Sequence, residues 1–184
     1  MSLVEIRWHG RGGQGAVTAS EITAIAAIDQ GKYAQAFPSF GVERRGAPVE
    51  AFTRIDDKPI YIRTKVYEPD IIVVLDPTLL GPEIARGLKE NGLAVVNTDK
   101  SPEEVKKLLG RDDIKVAIVD ATKIALETLK RPIVNTAILG AFVKASGLVD
   151  LDHVLKAVKS KVPPRTVEAN LEAVRRAYEE VVIA

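Results

Sequence analysis

The fold of this chain is decided by residues 8–16, whose sequence is WHGRGGQGA. They follow a strand-like run that begins at Leu3, and they precede residues 16–28, which are small and apolar as in a buried helix. A strand, a glycine-rich loop and a helix in this order leave unpaired backbone N–H groups at a positive helix end. Such a loop can hold a phosphate or a carboxylate, or it can let another segment of polypeptide approach the backbone closely.

The glycine spacing in this loop also fits the dinucleotide-binding pattern G-x-G-x-x-G, which is a weak signal when it stands alone. An NAD site needs, in addition, an acidic residue at the end of the second strand, about 20 residues further on. The second predicted strand, residues 33–37, is followed by Pro38 and Ser39 instead. The sequence therefore disfavours a nicotinamide dehydrogenase. A stand-alone nucleotide- or flavin-binding protein that uses residues 10–15 as its phosphate loop stays open.

Length and charge limit what kind of protein this is. A chain of 184 residues is expected to form one domain, residues 1–184, with a substantial core. Lys and Arg (26) nearly balance Asp and Glu (25), which gives no electrostatic footprint for nucleic acid or an anionic membrane. No apolar run approaches the roughly 18 residues of a membrane helix, and a strand begins too early to leave room for a signal peptide. We therefore expect a cytoplasmic protein that binds neither nucleic acid nor membrane.

Residue types that support catalysis are scarce. The chain has no cysteine, which excludes disulfides, thiolate zinc sites and cysteine-ligated iron–sulfur clusters. Its two histidines, His9 and His153, lack the spacing of a metal site, and no serine or threonine has an identifiable histidine and acid partner. We therefore expect neither a catalytic residue nor a metal in this chain, and we expect His9 to pack or cap. Few Asn and Gln residues and 28% charged residues favour a heat-adapted source.

Strands and helices alternate clearly from Pro69 onward. Residues 71–75, 93–96 and 115–119 are apolar runs typical of parallel strands that are buried on both faces. The predicted helices of this part are residues 81–91, a helix capped by Ser101, and residues 133–146, 151–161 and 166–182.

The first half does not follow this simple alternation. Residues 49–55 and 60–63 have strand-like composition and flank residues 56–59, which form a hairpin turn signal. The predicted fold is therefore a single Rossmann-like α/β domain with a mostly parallel sheet flanked by helices. It has a β-hairpin-containing insertion in the first half and a helical C-terminal region.

Polar residues follow the predicted strands at the edge where open α/β sheets bind ligands. They are Asp76, Asn97, Asp99 and Asp120. A site at this edge is geometrically natural, but such residues are most often caps and turns, and that is the role we expect for all four.

A second unusual loop, residues 38–48, has the sequence PSFGVERRGAP. It contains two prolines, two glycines, an aromatic residue and three consecutive charges. An arginine pair in a stiffened loop suits a phosphate or the carboxylate of a partner. Because binding residues concentrate on such loops, we expect this one to be functional or part of an interface.

The two loops together resemble the signature loops of the gamma subunit of 2-oxoacid:ferredoxin oxidoreductases. The similar stretches are residues 10–15 (GRGGQG) and residues 38–46 (PSFGVERRG), and residues 135–141 and 167–173 are similar as well. The resemblance covers essentially the whole chain. Two departures are small: Phe40 stands where the family often has Tyr, and Ala47 where it often has Gly.

The resemblance implies a subunit of an enzyme that converts a 2-oxoacid and coenzyme A to acyl-CoA, carbon dioxide and reduced ferredoxin. Thiamine diphosphate, Mg²⁺ and iron–sulfur clusters are then expected in the alpha, beta and delta partner subunits of a heterotetramer. Pyruvate is the expected 2-oxoacid, while 2-oxoisovalerate, 2-oxoglutarate and indolepyruvate stay open. The isolated chain is expected to be inactive, and it could form a homodimer through apolar surface that normally faces its partners.

Carried over to this sequence, the resemblance makes the two loops interface elements or elements that face coenzyme A. The candidate site residues are Gly10, Arg11, Gly12, Gly13, Gln14, Gly15, Ser39, Phe40, Gly41, Glu43, Arg44, Arg45 and Gly46. Arg11, Arg44 and Arg45 are the expected partners of phosphates or acidic side chains.

Overall fold

A computed structural model describes residues 2–39 and 44–184 and places a seven-stranded sheet at their centre. The strands are β1 (Val4–Arg11), β2 (Tyr33–Pro38), β3 (Pro48–Asp56), β4 (Ile71–Val74), β5 (Leu93–Asn97), β6 (Lys115–Val119) and β7 (Val182–Ile183). Their order in the sheet is β2-β3-β1-β4-β5-β6-β7. The central strands β1, β4, β5 and β6 are parallel. Strands β3 and β7 pair antiparallel with β1 and β6, and β2 pairs antiparallel with β3 at the edge of the sheet.

Six α-helices cover this sheet in the described part of the chain. They are α1 (Ala16–Asp29), α2 (Pro102–Leu109), α3 (Ala121–Thr128), α4 (Ala137–Ser146), α5 (Leu151–Lys161) and α6 (Val167–Glu180). Both sheet faces are buried: Ile71 and Val73 of β4 belong to the larger core, which α1, α4, α5 and α6 share, and Ile72 and Val74 belong to a smaller core beside α2. This two-sided burial explains the continuous apolar run in β4.

Helices α4 and α6 approach each other closely because Gly140 has no side chain. A Cβ atom on Gly140 would lie 2.0 Å from the backbone oxygen of Val174. At the start of the same pair, the Thr136 hydroxyl donates to the Asn170 side-chain oxygen (2.7 Å), and both residues are buried. The two C-terminal stretches singled out in the sequence are thus in contact, and they hold the helical layer together.

Most predicted elements are confirmed. Strands β1, β2, β4, β5 and β6 and helix α1 lie where the sequence patterns place them, within a few residues, and α5 matches its prediction at both ends. The predicted cap is also present, since the Ser101 side chain accepts a hydrogen bond from the Glu104 backbone N–H (3.2 Å). No helix of the described residues is long and apolar enough to cross a membrane.

The predicted hairpin at residues 56–59 is wrong, since residues 60–63 form no strand. Strand β3 is already paired on both sides, with β1 on one and β2 on the other. It therefore has no free edge for a strand that follows Asp56. The antiparallel neighbour is β2 instead, the strand that precedes β3 in the chain.

The predicted helix at residues 81–91 is also wrong, because this segment is a series of turns. The backbone N–H groups of Ile84 and Ala85 donate to carbonyls three residues earlier. Gly87 has φ +81°, and a Cβ atom there would lie 2.1 Å from the Tyr67 oxygen. A left-handed residue pressed against another segment cannot continue an α-helix.

Two ends in the C-terminal region also differ from prediction. Helix α4 begins at Ala137 rather than at residue 133, and α6 ends at Glu180 rather than at 182. Val182 instead belongs to β7, which pairs with the edge of β6 through Ile118. The open edge of β6 thus takes up the last residues of the chain, a long-range pairing that local periodicity does not reveal.

Candidate functional site

The two unusual loops are bound to each other. The Gly12 N–H donates to the Ala47 oxygen (2.8 Å), and the Gly46 N–H donates to the Gly12 oxygen (3.1 Å). These bonds form a short parallel bridge between Gly12 and Arg45. We call residues 10–15 and 44–47 together the two-loop site, since they form one structural unit at the carboxyl end of β1.

Two glycines of this loop make room for polypeptide. A Cβ atom on Gly12 would lie 2.2 Å from the Arg44 backbone oxygen, and one on Gly15 would lie 2.5 Å from the Asn135 side-chain nitrogen. The Arg11 N–H is also occupied, because it donates to the Gln14 side-chain oxygen (2.6 Å). Segments of the same chain therefore pack directly against these two glycines, where a side chain could not fit. Glycine is needed at positions 12 and 15 because of these contacts within the chain.

Arg11 ties the site to the end of the neighbouring strand β4. Its Nε lies 3.3 Å from a carboxylate oxygen of Asp76, its Nη2 donates to the Thr78 hydroxyl (3.0 Å), and its Nη1 donates to the Gly46 oxygen (3.2 Å). The charge of Arg11 is thus compensated within the chain. The sequence predicts a strand end at its partners Asp76 and Thr78. It does not predict their contact with Arg11, because this contact joins residues far apart in the chain.

Asp76 is held ionised by the groups around it. Partial burial raises the pKa of its carboxyl group, but hydrogen bonds from Thr78 and Gln14 and the charge of Arg11 outweigh burial, so that the pKa lies below its usual value. The Gln14 side chain donates to Asp76 at 2.8 Å. Gln14 therefore links the glycine loop to β4 through a charged acceptor.

Two of the other polar residues at strand ends, Asn97 and Asp120, have the structural roles that were expected, and Asp99 is exposed. The Asn97 side chain donates to the Leu75 oxygen and to the Thr122 hydroxyl, both at 2.9 Å. The Asp120 carboxylate accepts from the Lys123 N–H (3.0 Å) and caps α3. These groups stabilise the carboxyl edge of the sheet.

The remaining predicted site residues, which belong to the second loop, divide into three groups. Arg44 and Arg45 are exposed, and no ion pair to either is formed inside residues 2–39 and 44–184. Ser39 fixes the other end of the loop, where its N–H donates to the Glu50 oxygen (2.9 Å). The predicted residues Phe40, Gly41 and Glu43 lie outside the described residues.

His9 is buried on the opposite face of β1 from Trp8. Its Nε2 accepts a hydrogen bond from the Arg7 Nε–H (2.8 Å), and only 5% of the residue is exposed. Burial, reinforced by the charge of Arg7, lowers the pKa of His9 from 6.5 to about 3. His9 is therefore neutral at physiological pH, which agrees with the packing role expected from the sequence.

Neutral burial of His9 predicts a loss of stability in mild acid. The unfolded state takes up a proton near pH 6.5, whereas the folded state does so only near pH 3. The contribution of neutral His9 to the free energy of unfolding is therefore fully present above pH 6.5. As the pH decreases below 6.5, the free energy of unfolding decreases by up to about 1.4 kcal/mol per pH unit. We expect urea unfolding between pH 7.5 and 4.5 to show this slope.

The matched variant for this measurement is His9→Gln, which keeps an acceptor for Arg7 but does not titrate. Its free energy of unfolding is expected to be lower at pH 7.5 and to change less between pH 6.5 and 4.5. Parallel pH profiles for the variant and the natural protein would show that His9 is not buried in its neutral form.

Metal and cofactor ligands do not converge in this structure. Within the described ranges, no three His, Asp or Glu side chains lie close enough together to hold a metal ion. The chain also has no cysteine for a cluster. The arrangement at the sheet edge is one of hydrogen-bonded loops that present two arginines.

Comparison with known proteins identifies the family. A sequence profile of the pyruvate ferredoxin/flavodoxin oxidoreductase family matches residues 5–180. The chain belongs to this family. Its resemblance to the gamma subunit of pyruvate/2-oxoacid:ferredoxin oxidoreductases is thereby confirmed, and the alternative of a stand-alone nucleotide- or flavin-binding protein is not supported.

Relatives of similar length support this assignment within the pyruvate ferredoxin/flavodoxin oxidoreductase family. The chain is 59% identical over 182 residues to the pyruvate/ketoisovalerate oxidoreductases common subunit gamma of Pyrococcus abyssi, with 98% of each chain covered. It is 56% identical to pyruvate synthase subunit PorC of Methanothermobacter thermautotrophicus, over 97% of this chain and 96% of that one. The crystal structure of pyruvate oxidoreductase subunit PORC from Thermotoga maritima superposes with a TM-score of 0.89 at 47% identity, covering 100% and 99% of the two chains.

Proposed function

We propose that this gamma subunit completes a heterotetrameric, heat-adapted pyruvate:ferredoxin oxidoreductase together with alpha, beta and delta subunits. The enzyme converts pyruvate and coenzyme A to acetyl-CoA, carbon dioxide and reduced ferredoxin. The observation that carries the proposal is the two-loop site, where other segments of the chain pack against Gly12 and Gly15 and leave Arg44 and Arg45 exposed. A surface of this kind suits recognition better than bond making or breaking.

The chemistry is assigned to the partner subunits. Thiamine diphosphate with Mg²⁺ supplies carbanion stabilisation when bound, and iron–sulfur clusters accept the electrons. The residues present here do not fit either group, because the described part of the chain has no cluster of metal ligands and the sequence has no cysteine. The contribution of the gamma subunit is therefore structural and electrostatic.

We infer that the two-loop site faces the coenzyme A side of the assembly. Coenzyme A carries a diphosphate and a ribose phosphate, and arginine is the side chain best suited to pair with such groups. Arg11 is occupied by Asp76, so the exposed Arg44 and Arg45 are the natural partners of these phosphates. Residues 44–47 are attached to the rigid end of β1 through Gly12, which gives the arginines a fixed base.

A second 2-oxoacid, 2-oxoisovalerate, is favoured by one observation. The relative from Pyrococcus abyssi is named as a gamma subunit common to pyruvate and ketoisovalerate oxidoreductases. A gamma subunit shared in this way would serve two enzymes that differ in their other chains. We place pyruvate first and 2-oxoisovalerate second.

Affinity capture of the tagged chain from the cytoplasmic fraction of its native cells tests these proposals. We expect three further subunits to co-elute with brown iron–sulfur colour and with coenzyme A-dependent reduction of a viologen dye by pyruvate. Replacing pyruvate with 2-oxoisovalerate in the same assay tests whether the chain also serves a second enzyme. Recovery of the chain alone, without activity toward either acid, would contradict the proposed assembly.

A further inference from the structure

A cleft of about 330 Å³ lies on the face of the sheet opposite α1, beside β1. Its walls come from β1, from β3, from residues 65–67 and from the turns at 83–86. The polar side chains that matter are those of Arg7, His9, Glu50, Lys65, Glu83 and Arg86. We call it the His9 cleft. It is separate from the two-loop site, and the proposed function makes no use of it.

The proton of His9 has a defined place. The Arg7 Nε–H can only donate, so the His9 Nε2 that lies 2.8 Å from it must be the unprotonated nitrogen. In a neutral imidazole the proton is then on Nδ1. His9 therefore presents a neutral N–H donor from a side chain that is 95% buried, since its exposed fraction is 5%.

This donor is available to a ligand or to water. No acceptor for the His9 Nδ1 occurs among the described residues. At the same time, every fully buried side-chain nitrogen or oxygen in those residues has a hydrogen-bond partner. The Nδ1 atom is therefore not fully sealed from solvent, and the cleft is the cavity that His9 lines. A buried polar group without a protein partner is costly unless a ligand or water satisfies it.

The other groups determine the charge of a suitable ligand. Arg7 is occupied by the Ile84 and Arg86 oxygens, at 3.0 and 2.6 Å, and lies 3.6 Å from a Glu50 oxygen. Lys65 and Arg86 make no ion pair within the described segments. Three cations and two carboxylates give the walls a net charge of +1.

We propose that the His9 cleft binds the carboxylate group of a small organic acid with a single negative charge. One carboxylate oxygen accepts from the His9 Nδ1–H, and the Lys65 ammonium and the Arg86 guanidinium neutralise the charge. A phosphate dianion is disfavoured because Glu50 and Glu83 also face the cleft. A volume of about 330 Å³ lies at the lower end for small-molecule sites and suits a short acid.

Histidine NMR gives a direct test, because the full chain has only two histidines. The probe is sodium acetate, added to ¹⁵N-labelled chain at pH 7.5 until it replaces all the chloride in the buffer. We expect the Nδ1 resonance of His9 to shift and saturate. His153 serves as the internal reference, since it pairs with Asp29 on the other side of the molecule (2.8 Å). Its resonances should not show the saturating shift with acetate that we expect for His9.

Two comparisons separate charge from shape. Acetamide has the size of acetate but no charge, and it should leave His9 unchanged. Lys65→Ala should raise the acetate midpoint about tenfold by removing a charged partner, whereas Lys58→Ala, an exposed lysine outside the cleft, should not. An unresponsive His9, an equal response to acetamide, or saturation by phosphate at lower concentration than acetate would each overturn the proposal.

Discussion

Replacing Gly140 with alanine is expected to destabilise the protein by on the order of 3 kcal/mol, the upper part of the range for overpacked cores. In an exposed helix the same change stabilises by about 1 kcal/mol, because alanine is the better helix former. Here the new methyl group would lie 2.0 Å from the Val174 backbone oxygen and 2.8 Å from the Tyr178 nitrogen. Backbone atoms of α6 cannot relieve this clash by a change of rotamer, as a side chain could. Helices α4 and α6 must therefore separate.

Thermal unfolding of the isolated chain measures this effect, and we expect the Tm to fall by roughly 10 °C. Gly147→Ala is the control at the end of the same helix. Gly147 has a positive φ but nothing within 4 Å of a Cβ atom, so alanine there adds backbone strain without a clash. If Gly140→Ala cost no more stability than Gly147→Ala, the close contact between α4 and α6 would be contradicted.

Gly12→Ala is expected to abolish most of the activity of the assembled enzyme while leaving the fold of the chain intact. Its methyl group would meet the Arg44 oxygen at 2.2 Å, so residues 44–47 must move away from the end of β1. Displacement of a positioning loop by about 1 Å can lower activity on the order of 100-fold. The loss should appear in coenzyme A-dependent dye reduction by the captured complex.

The neighbouring glycine provides the control for this variant. Gly13, unlike Gly12, has a positive φ, but a Cβ atom there would only touch the Arg45 side chain at 3.9 Å. Gly13→Ala should therefore cost roughly 1–2 kcal/mol of local strain and retain the loop contact. Activity of Gly12→Ala equal to that of the natural protein would show that attachment of residues 44–47 to Gly12 is not needed for function.

Local patterns were sufficient for most of the fold because burial on two faces leaves a clear mark in sequence. The run 71–75 had to be a central strand, and Gly147 had to end a helix. The errors fall where tertiary contacts outweigh local preference. Residues 60–63 have strand-like composition, but β3 has no free edge, and residues 81–91 have helical composition, but Gly87 is pressed against Tyr67.

The candidate site shows the same limit. Sequence alone marked both glycine-rich loops, but spacing could not tell whether the glycines admit a phosphate or a polypeptide. The structure shows polypeptide packed against two of these glycines, through contacts between residues far apart in the chain, Gly12 with Arg44 and Gly15 with Asn135. Asn135 lay in a stretch that the resemblance had marked, so a signal for it existed. The pairing of Arg11 with Asp76 left no such signal.

We propose that the two-loop site uses its exposed arginines toward coenzyme A. The most direct test is the KM for coenzyme A of the captured enzyme carrying Arg44→Ala and Arg45→Ala together. Loss of charge-assisted hydrogen bonds to phosphate should raise this KM at least about tenfold. The KM for pyruvate and the subunit content should stay unchanged.

The matched control is Arg165→Ala with Arg175→Ala, which removes two exposed arginines at the C-terminal end of the chain and changes the net charge equally. It should leave the KM for coenzyme A as it is. A KM for coenzyme A that rises only with the Arg44 and Arg45 substitutions is the predicted result. An unchanged KM in an intact assembly would contradict the assignment of the two-loop site to coenzyme A.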